Sequence, residues 1–392
     1  YYVRLQSQEE TSQALIIKKL MNKKILIVVN SLDFFLSHRN TLAQELIKNG
    51  CNVVVITDMS GENYHDENIK FVDFEIDRAS INPFSFFLKV IKLRKYLSIY
   101  PNDIYYFVSH KSNILGGFAS FFKSNKVTIF SISGLGYAFI NTNLVARILK
   151  SLILWIYSIF AKKANTLFVF QNNDDKRLFL DYRVLNDKQA TIIPGMGVDL
   201  EKFQFQQREI IDSEPIKVLF AGRLLIDKGI QEFIALASKL KNKNFEFHIT
   251  GKLDLENPNV VNPEYFAKCL NEPNIIYHGY TQFEQIFALY RATDIFLLPS
   301  YREGFPKAAL EAAATGQPLL LSDVPGCRDC VVDGFNGFLF KKGSIEEMEA
   351  CLEKLADLND YQYFSKNSRQ YVEENFSATY IANQYINLIK SN

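Results

Sequence analysis

The chain has 392 residues, 48% hydrophobic and 22% charged, with a net charge of +1 at neutral pH. That length exceeds what one hydrophobic core usually supports and predicts two domains. The composition excludes a disordered chain, and the near-zero charge argues against a general nucleic-acid binder.

The first twenty residues lack a signal peptide's succession of basic, apolar and cleavage regions. Met21-Asn-Lys-Lys reads as a start, so residues 1–20 are set apart as an extra leader. Lys24 to Asn30 is an apolar run typical of a buried parallel strand. A loop from Ser31 to Arg39 and an amphipathic stretch ending at Asn49-Gly50 follow, and Asn52 to Thr57 is the next strand. This β–loop–α–β opening predicts a doubly wound domain over 21–200. It has no G-x-G-x-x-G, which counts against a dehydrogenase. Further strands are expected at 70–76, 103–109, 126–132, 166–170 and 191–194.

Candidate site residues follow these strands, at the carboxyl ends where open parallel sheets bind ligands. His38-Arg39 comes after the first strand; such a pair caps or solvates a helix, or contacts a ligand if that loop lines a site. His110-Lys111 follows the strand ending at Ser109. Gly134 and Gly136 flank Leu135 after another strand. They make either a plain tight turn or a place where backbone N–H groups approach a phosphate.

From Ile81 to Asn165 there are eleven Lys or Arg and one acid, Asp103. Two helices carry this excess. Phe84 to Tyr100 interleaves Phe87, Leu88, Ile91 and Leu97 with Lys89, Lys92 and Lys95, and reads as facing an anionic membrane surface. Each basic residue near anionic lipid contributes on the order of 1 kcal/mol. Asn143 to Lys163 has an apolar run of eleven residues, Ser151 to Ala161, between basic ends. That run is too short to span a bilayer, and the helix reads as core-facing with snorkelling ends. No stretch reaches eighteen uncharged apolar residues, so no spanning helix is expected.

Residues 201–215 are polar and are expected to link the domains, the second running over 216–375 from Ile216-Lys-Val-Leu-Phe-Ala-Gly-Arg. Strands are expected at 246–250, 274–278, 294–298, 318–321 and 337–340. Thr250-Gly251-Lys252 and His278-Gly279-Tyr280 end two of them. The densest chemistry lies between Pro299 and Cys327. Glu303 sits on a loop at a strand's carboxyl end, and Glu311, eight residues on, lies in a helix that starts at Pro306 and stops before Gly316. The five cysteines, odd in number and irregularly spaced, make no disulfide framework and fit a reducing cytoplasm. Cys327 and Cys330 form a lone C-x-x-C without a second pair, so no zinc is expected.

On these motifs the chain resembles the retaining, nucleotide-sugar-dependent glycosyltransferases of family 4. The resemblance rests on Ser300-x-x-Glu303-Gly-Phe-Pro, the E-x7-E pair, Asp323-Val-Pro-Gly-Cys327 and Gly222-Arg223…Lys228-Gly229. In the amino-terminal half, NSLDFFLSHR at 30–39, SISGLGYAF at 131–139, VFQNNDD at 169–175 and IPGMGVDLEKF at 193–203 are similar to one branch. That branch elongates polyprenyl-diphosphate-linked sugars in bacterial O-antigen, capsule or protein-glycan assembly. Two departures stand out: Met196 replaces the branch's usual Ser between two glycines, and Asn30-Ser31 replace a glycine-rich first loop.

The resemblance implies an α/β, GT-B fold, with two Rossmann-like doubly wound domains facing a cleft and a last helix, 376–392, packing back on the first. It implies retaining, metal-independent transfer of a hexose or N-acetylhexosamine from a UDP-sugar, UDP-GalNAc favoured, to a polyprenyl-diphosphate-linked sugar. Arg223 and Lys228 would grip the diphosphate, because fixed cations stabilise the charge that develops on the leaving group. Glu303, the third catalytic residue, would contact the donor sugar's hydroxyls, and Glu311 the ribose hydroxyls. Gly304, Phe305 and Pro306 would support the sugar, with Lys307, Gly251 and Gly195 completing the donor site. His38, Arg39, His110, Lys111, Gly134 and Gly136 would meet the acceptor. No cofactor is implied beyond the donor. The other partner would be the anionic inner face of the cytoplasmic membrane, and no nucleic acid is expected. A GT-B-fold epimerase or hydrolase would share the diphosphate grip. A non-catalytic membrane-associated scaffold would not need Glu303, Arg223 and Lys228 together.

Overall fold

A computed structural model describes residues 22–391, except 77–81, 101, 124–125, 141–142, 209–210, 212, 256, 258 and 283–284. The leader expected at 1–20 lies outside the described residues. The chain divides into two compact units, with boundaries at Met196–Gly197 and Ala378–Thr379.

The first unit runs β1 (Lys24–Val28), α1 (Leu32–His38), α2 (Asn40–Lys48), β2 (Asn52–Thr57), β3 (Ile69–Asp73), α3 (Pro83–Ile99) and β4 (Ile104–Val108). It continues with α4 (His110–Ser120), β5 (Val127–Ile132), α5 (Tyr137–Ile140), α6 (Leu144–Ala161), β6 (Thr166–Phe170), α7 (Asn173–Asp181) and β7 (Ala190–Ile192). The seven strands form one parallel sheet in the order β3-β2-β1-β4-β5-β6-β7. Helices cover both faces, so β1 is apolar on alternate residues in both directions. Leu26 and Val28 pack with Phe107, Phe130, Tyr157 and Phe160 on one side. Ile25, Ile27 and Val29 pack on the other with Ile381, Tyr385 and Ile386 of the chain's last helix. Gly116 and Gly117 seat α4 tightly: a Cβ would fall 2.2 Å from the Phe107 ring at the first and 2.3 Å from Phe160 at the second.

The second unit runs β8 (Ile216–Ala221), α8 (Ile230–Lys239), β9 (Phe245–Thr250), α9 (Pro263–Cys269), β10 (Ile275–Tyr277), α10 (Ile286–Ala292) and β11 (Ile295–Leu298). Then come α11 (Lys307–Ala314), β12 (Leu319–Ser322), β13 (Gly337–Phe340), α12 (Ile345–Leu355) and α13 (Leu358–Phe376). Helix α14 (Ala378–Ser391) follows and belongs, from Thr379 on, to the first unit. The six strands are parallel in the order β10-β9-β8-β11-β12-β13.

Three expectations need correction. The stretch Ser31 to Arg39, read as a loop, is mostly helix α1, whose first turn Ser31 caps by accepting from the Phe34 amide. The stretch 201–215, read as a linker, packs into the second unit. Phe203 lies in its core, and buried Arg208 donates to the Tyr290 carbonyl and sits 3.6 Å from Asp294 Oδ1. Polar composition there reflects a buried cation with partners rather than a free connection. Helix α6, read as core-facing, is core-facing on one side only. Ile153, Leu154, Tyr157 and Phe160 are buried, while Leu144, Val145, Ile148, Leu149, Leu152 and Trp155 are exposed. By length and composition α6 is also apolar enough to cross a membrane, because Arg147 and Lys150 only interrupt its apolar residues. In α3 only Leu93 and Leu97 are buried.

Candidate functional site

In the second sheet, β9 and β10 build outward on one side of β8, and the chain then returns to place β11 on the other. The order reverses between β8 and β11, which makes their carboxyl ends a topological switch point, the usual ligand crevice of such sheets. Arg223 and Lys228 follow β8, and Glu303 follows β11. Neighbouring strands thus bring together residues distant in sequence.

Lys228 Nζ lies 2.5 Å from Glu303 Oε1 and 2.6 Å from Oε2. Ser300, fully buried, donates its hydroxyl to Glu303 Oε1 at 2.7 Å. The turn bearing Lys228 closes on the loop bearing Glu303 through Gly229, at φ 76°, where a Cβ would fall 2.0 Å from the Pro299 carbonyl. The Tyr301 amide also donates to the Asp227 carbonyl at 2.9 Å. On the other side the Glu303 amide donates to the Pro325 carbonyl. Glu303 is 9% exposed, so its charge rests on these contacts.

Glu311 projects from α11 and is also buried. Tyr290 donates to its Oε2 at 3.1 Å, and Lys307 Nζ lies 2.9 Å from its Oε1, one helical turn back. Burial, and then the Glu311 charge, push the Tyr290 hydroxyl well above its usual pKa, so it keeps its proton and donates this hydrogen bond. Gly304, Phe305 and Pro306 join Glu303 to α11, and the Phe305 ring packs on Phe376, 5.2 Å between centroids. Gly251 ends β9 so close to Gly222 that a Cβ would fall 1.7 Å from its carbonyl oxygen. Arg223 stands apart from the Lys228–Glu303 pair: its side chain is 58% exposed and its Nη1 lies 3.7 Å from Asp254 Oδ2. His278 belongs to a polar chain with His248 and Glu246, each link 2.9 Å.

The first unit holds the remaining candidates. Its strand order reverses between β1 and β4. Ser109, at the end of β4, has the strained φ of 78°, and His110 and Lys111 open α4 just beyond it. His110 Nδ1 is 2.9 Å from the Tyr157 hydroxyl, and burial holds its imidazole down to about 4, neutral at pH 7. Gly134 and Gly136 have φ of 107° and 68°. Gly195 has φ of 60° and also belongs to the first unit, whereas the rest of the expected donor set lies in the second. His38 stacks on Phe34 at 4.4 Å between centroids. Arg39, expected to contact the acceptor, is 1% exposed. Its guanidinium donates to the His38 carbonyl and Ser131 Oγ and lies over the Phe34 and Tyr106 rings. That places it inside the unit, bracing the carboxyl end of β5.

Sequence reading named neither Ser300 nor Tyr290 nor Asp254 as a partner. Ser300 had a signal, three residues before Glu303 in the quoted motif. The other two approach through tertiary packing and had none.

The chain is similar to known proteins. Residues 201–371 match the family model described as "Glycosyl transferases group 1". The chain is 29% identical over 355 residues to the N,N'-diacetylbacillosaminyl-diphospho-undecaprenol alpha-1,3-N-acetylgalactosaminyltransferase of Campylobacter jejuni, covering 86% of this chain and 91% of that protein. It is 28% identical over 300 residues to the UDP-Gal:alpha-D-GlcNAc-diphosphoundecaprenol alpha-1,3-galactosyltransferase of Escherichia coli, covering 74% and 75%. Among solved structures, sucrose-phosphate synthase from Thermosynechococcus elongatus superposes with a TM-score of 0.79 at 18% identity, over 94% of this chain and 99% of that one. Anabaena HepE in complex with UDP and glucose gives 0.73 at 16% identity, over 95% and 100%.

Proposed function

We propose that this chain, of GT-B fold and with residues 201–371 matching the glycosyl transferases group 1 family model, is a retaining, metal-independent glycosyltransferase. It moves a hexose or N-acetylhexosamine from a UDP-sugar, with UDP-GalNAc favoured, to a polyprenyl-diphosphate-linked sugar. The observation that carries this reading is the Lys228–Glu303 pair at the switch point of the second sheet. It presents a cation and a buried carboxylate on adjacent loops, as a donor with a charged leaving group and a hydroxylated sugar requires. The names of the Campylobacter and Escherichia relatives supply the acceptor class.

When the donor binds, its diphosphate competes with Glu303 for Lys228. The ammonium moves to the phosphates, and Glu303 turns to the sugar hydroxyls. Arg223, exposed beside Asp254, swings to the same diphosphate as a second cation, so two cationic side chains do the work of a metal. Glu311, oriented by Tyr290 and Lys307, takes the ribose hydroxyls. The leaving phosphate helps deprotonate the acceptor hydroxyl from the same face, which retains the anomeric configuration. The amino-terminal unit takes the acceptor near His110, Lys111 and Gly134. The exposed apolar and basic residues of α3 and α6 hold it on the anionic inner face of the cytoplasmic membrane.

Mass spectrometry of products tests the reading. Purified protein is incubated, without added metal, with a panel of UDP- and GDP-sugars, with and without a polyprenyl-diphosphate-linked sugar. Acceptor-dependent gain of one sugar mass supports it. Turnover of the donor with no acceptor product would instead indicate an epimerase or hydrolase.

A further inference from the structure

A cavity of about 350 Å3 opens between α3, α4 and α6 in the first unit. Phe86, Ile114, Leu115, Phe118, Leu152 and Ile156 make its apolar wall. Lys111, Ile114, Leu115 and Phe118 recur at helical spacing, so the cavity follows one stripe of α4 away from its first turn. That first turn adjoins the carboxyl end of β4, and Lys111 lines the cavity there. Lys89 of α3 also lines it, with Nζ 3.7 Å from the exposed Glu75 Oε1. Phe118 is fixed by edge contacts to Phe86 and Phe160 at 6.1 and 5.2 Å between centroids, which keep the groove open and shaped. Phe87 and Leu88 on α3, and Leu149 and Trp155 on α6, are exposed beside it.

We propose that this groove holds the leading isoprene units of the acceptor's prenyl chain, with Lys111 and Lys89 meeting its phosphates. The proposal rests on the transferase reading for the identity of the acceptor. Charge complementarity selects this occupant. The segment from Ile81 to Asn165 has eleven basic residues against one acid, and a prenyl diphosphate is an anionic head on an apolar tail. The groove matches both parts, with two lysines among its lining residues and a trough of aliphatic and aromatic side chains. The exposed apolar residues of α3 and α6 then lead the rest of the chain into the bilayer. Branched methyl groups fill an aromatic trough better than a straight chain does, so the site discriminates prenyl from alkyl tails.

Trp155 is the chain's single tryptophan and lies next to the wall residue Ile156, which makes it a reporter. The full chain, without vesicles, is titrated with geranylgeranyl diphosphate, inorganic diphosphate and a straight-chain alkyl diphosphate while Trp155 emission is followed. The expected result is a saturable change with geranylgeranyl diphosphate, about tenfold tighter than with either other ligand. Ile114→Tyr, by filling the trough, and Leu152→Glu, by putting a charge on its apolar wall, should each weaken it about tenfold. Leu152 is 48% exposed, so its variant folds and decides the matter if Ile114→Tyr does not. No saturable change, or unchanged affinity in the Leu152 variant, would overturn the proposal. Equal affinity for inorganic diphosphate would leave only a head-group site, and equal affinity for the alkyl ligand only a general lipid cleft; either overturns it. Saturable prenyl binding by a protein that transfers no sugar would keep the groove and remove the transferase reading.

Discussion

Lys228 and Glu303, 75 residues apart, form an ion pair in which one ammonium nitrogen lies 2.5 and 2.6 Å from the two carboxylate oxygens. Ser300 adds a third hydrogen bond to the same carboxylate. The pair is satisfied before any donor arrives, so donor binding exchanges one set of charge contacts for another. Removing the cation alone strands a buried charge. Lys228→Met should therefore destabilise the protein by about 2–3 kcal/mol, measured by urea denaturation. Adding Glu303→Gln should recover part of that loss, since the stranded charge disappears.

Tyr290 orients Glu311 through a single hydrogen bond. Tyr290→Phe removes that bond and keeps the ring in the core. The KM for the UDP-sugar should rise about fivefold, the equivalent of about 1 kcal/mol, with kcat little changed. Steady-state kinetics at saturating acceptor checks this. An equal fall in kcat with unchanged KM would remove Glu311 from ribose binding.

Burial pulls the His110 imidazole down from 6.5 to about 4. Between those values the unfolded chain binds a proton that the folded one does not. Stability is then fully present above pH 6.5 and is lost as pH falls towards 4. By pH 5 the loss should be about 2 kcal/mol. Thermal midpoints recorded from pH 7.5 to 5 should fall more steeply for the parent protein than for His110→Phe.

The apolar residues exposed on α3 and α6 predict binding to anionic vesicles. Leu88→Ser with Leu149→Ser should weaken cosedimentation with such vesicles about tenfold or more, as two leucine side chains lose their burial in lipid. Binding should also weaken with rising salt, because the lysines and arginines between them act over a Debye length. Equal binding to neutral and anionic vesicles would contradict the electrostatic part.

Much of this architecture is legible in the sequence. The apolar run Thr166–Phe170 marks a strand to the residue, because a strand buried on both faces needs an unbroken apolar stretch. The Pro306 and Gly316 signals bracket α11 for the same local reason. What lies beyond local pattern is harder to read. Lys228 meets Glu303 only because β11 pairs with β8 rather than with β10. Arg39 and Arg223 look alike as basic residues after a strand, yet one is sealed beside Ser131 and the other is solvent-exposed beside Asp254. The apolar outer side of α6 escaped reading because hydrophobic residues surround the whole helix and periodicity does not say which side has a partner.

The most direct test of the account is the rate of acceptor-dependent sugar transfer under saturating donor and acceptor, in the parent protein and in Lys228→Met, Glu303→Gln and the double variant. If Lys228 stabilises the departing diphosphate and Glu303 the donor sugar, each single substitution should lower kcat by about 100-fold or more. The double variant should lose little beyond the worse single one, because the two groups act as a unit. Single variants that fold normally and retain transfer within about threefold of the parent, less than 1 kcal/mol of transition-state stabilisation, would contradict the central claim.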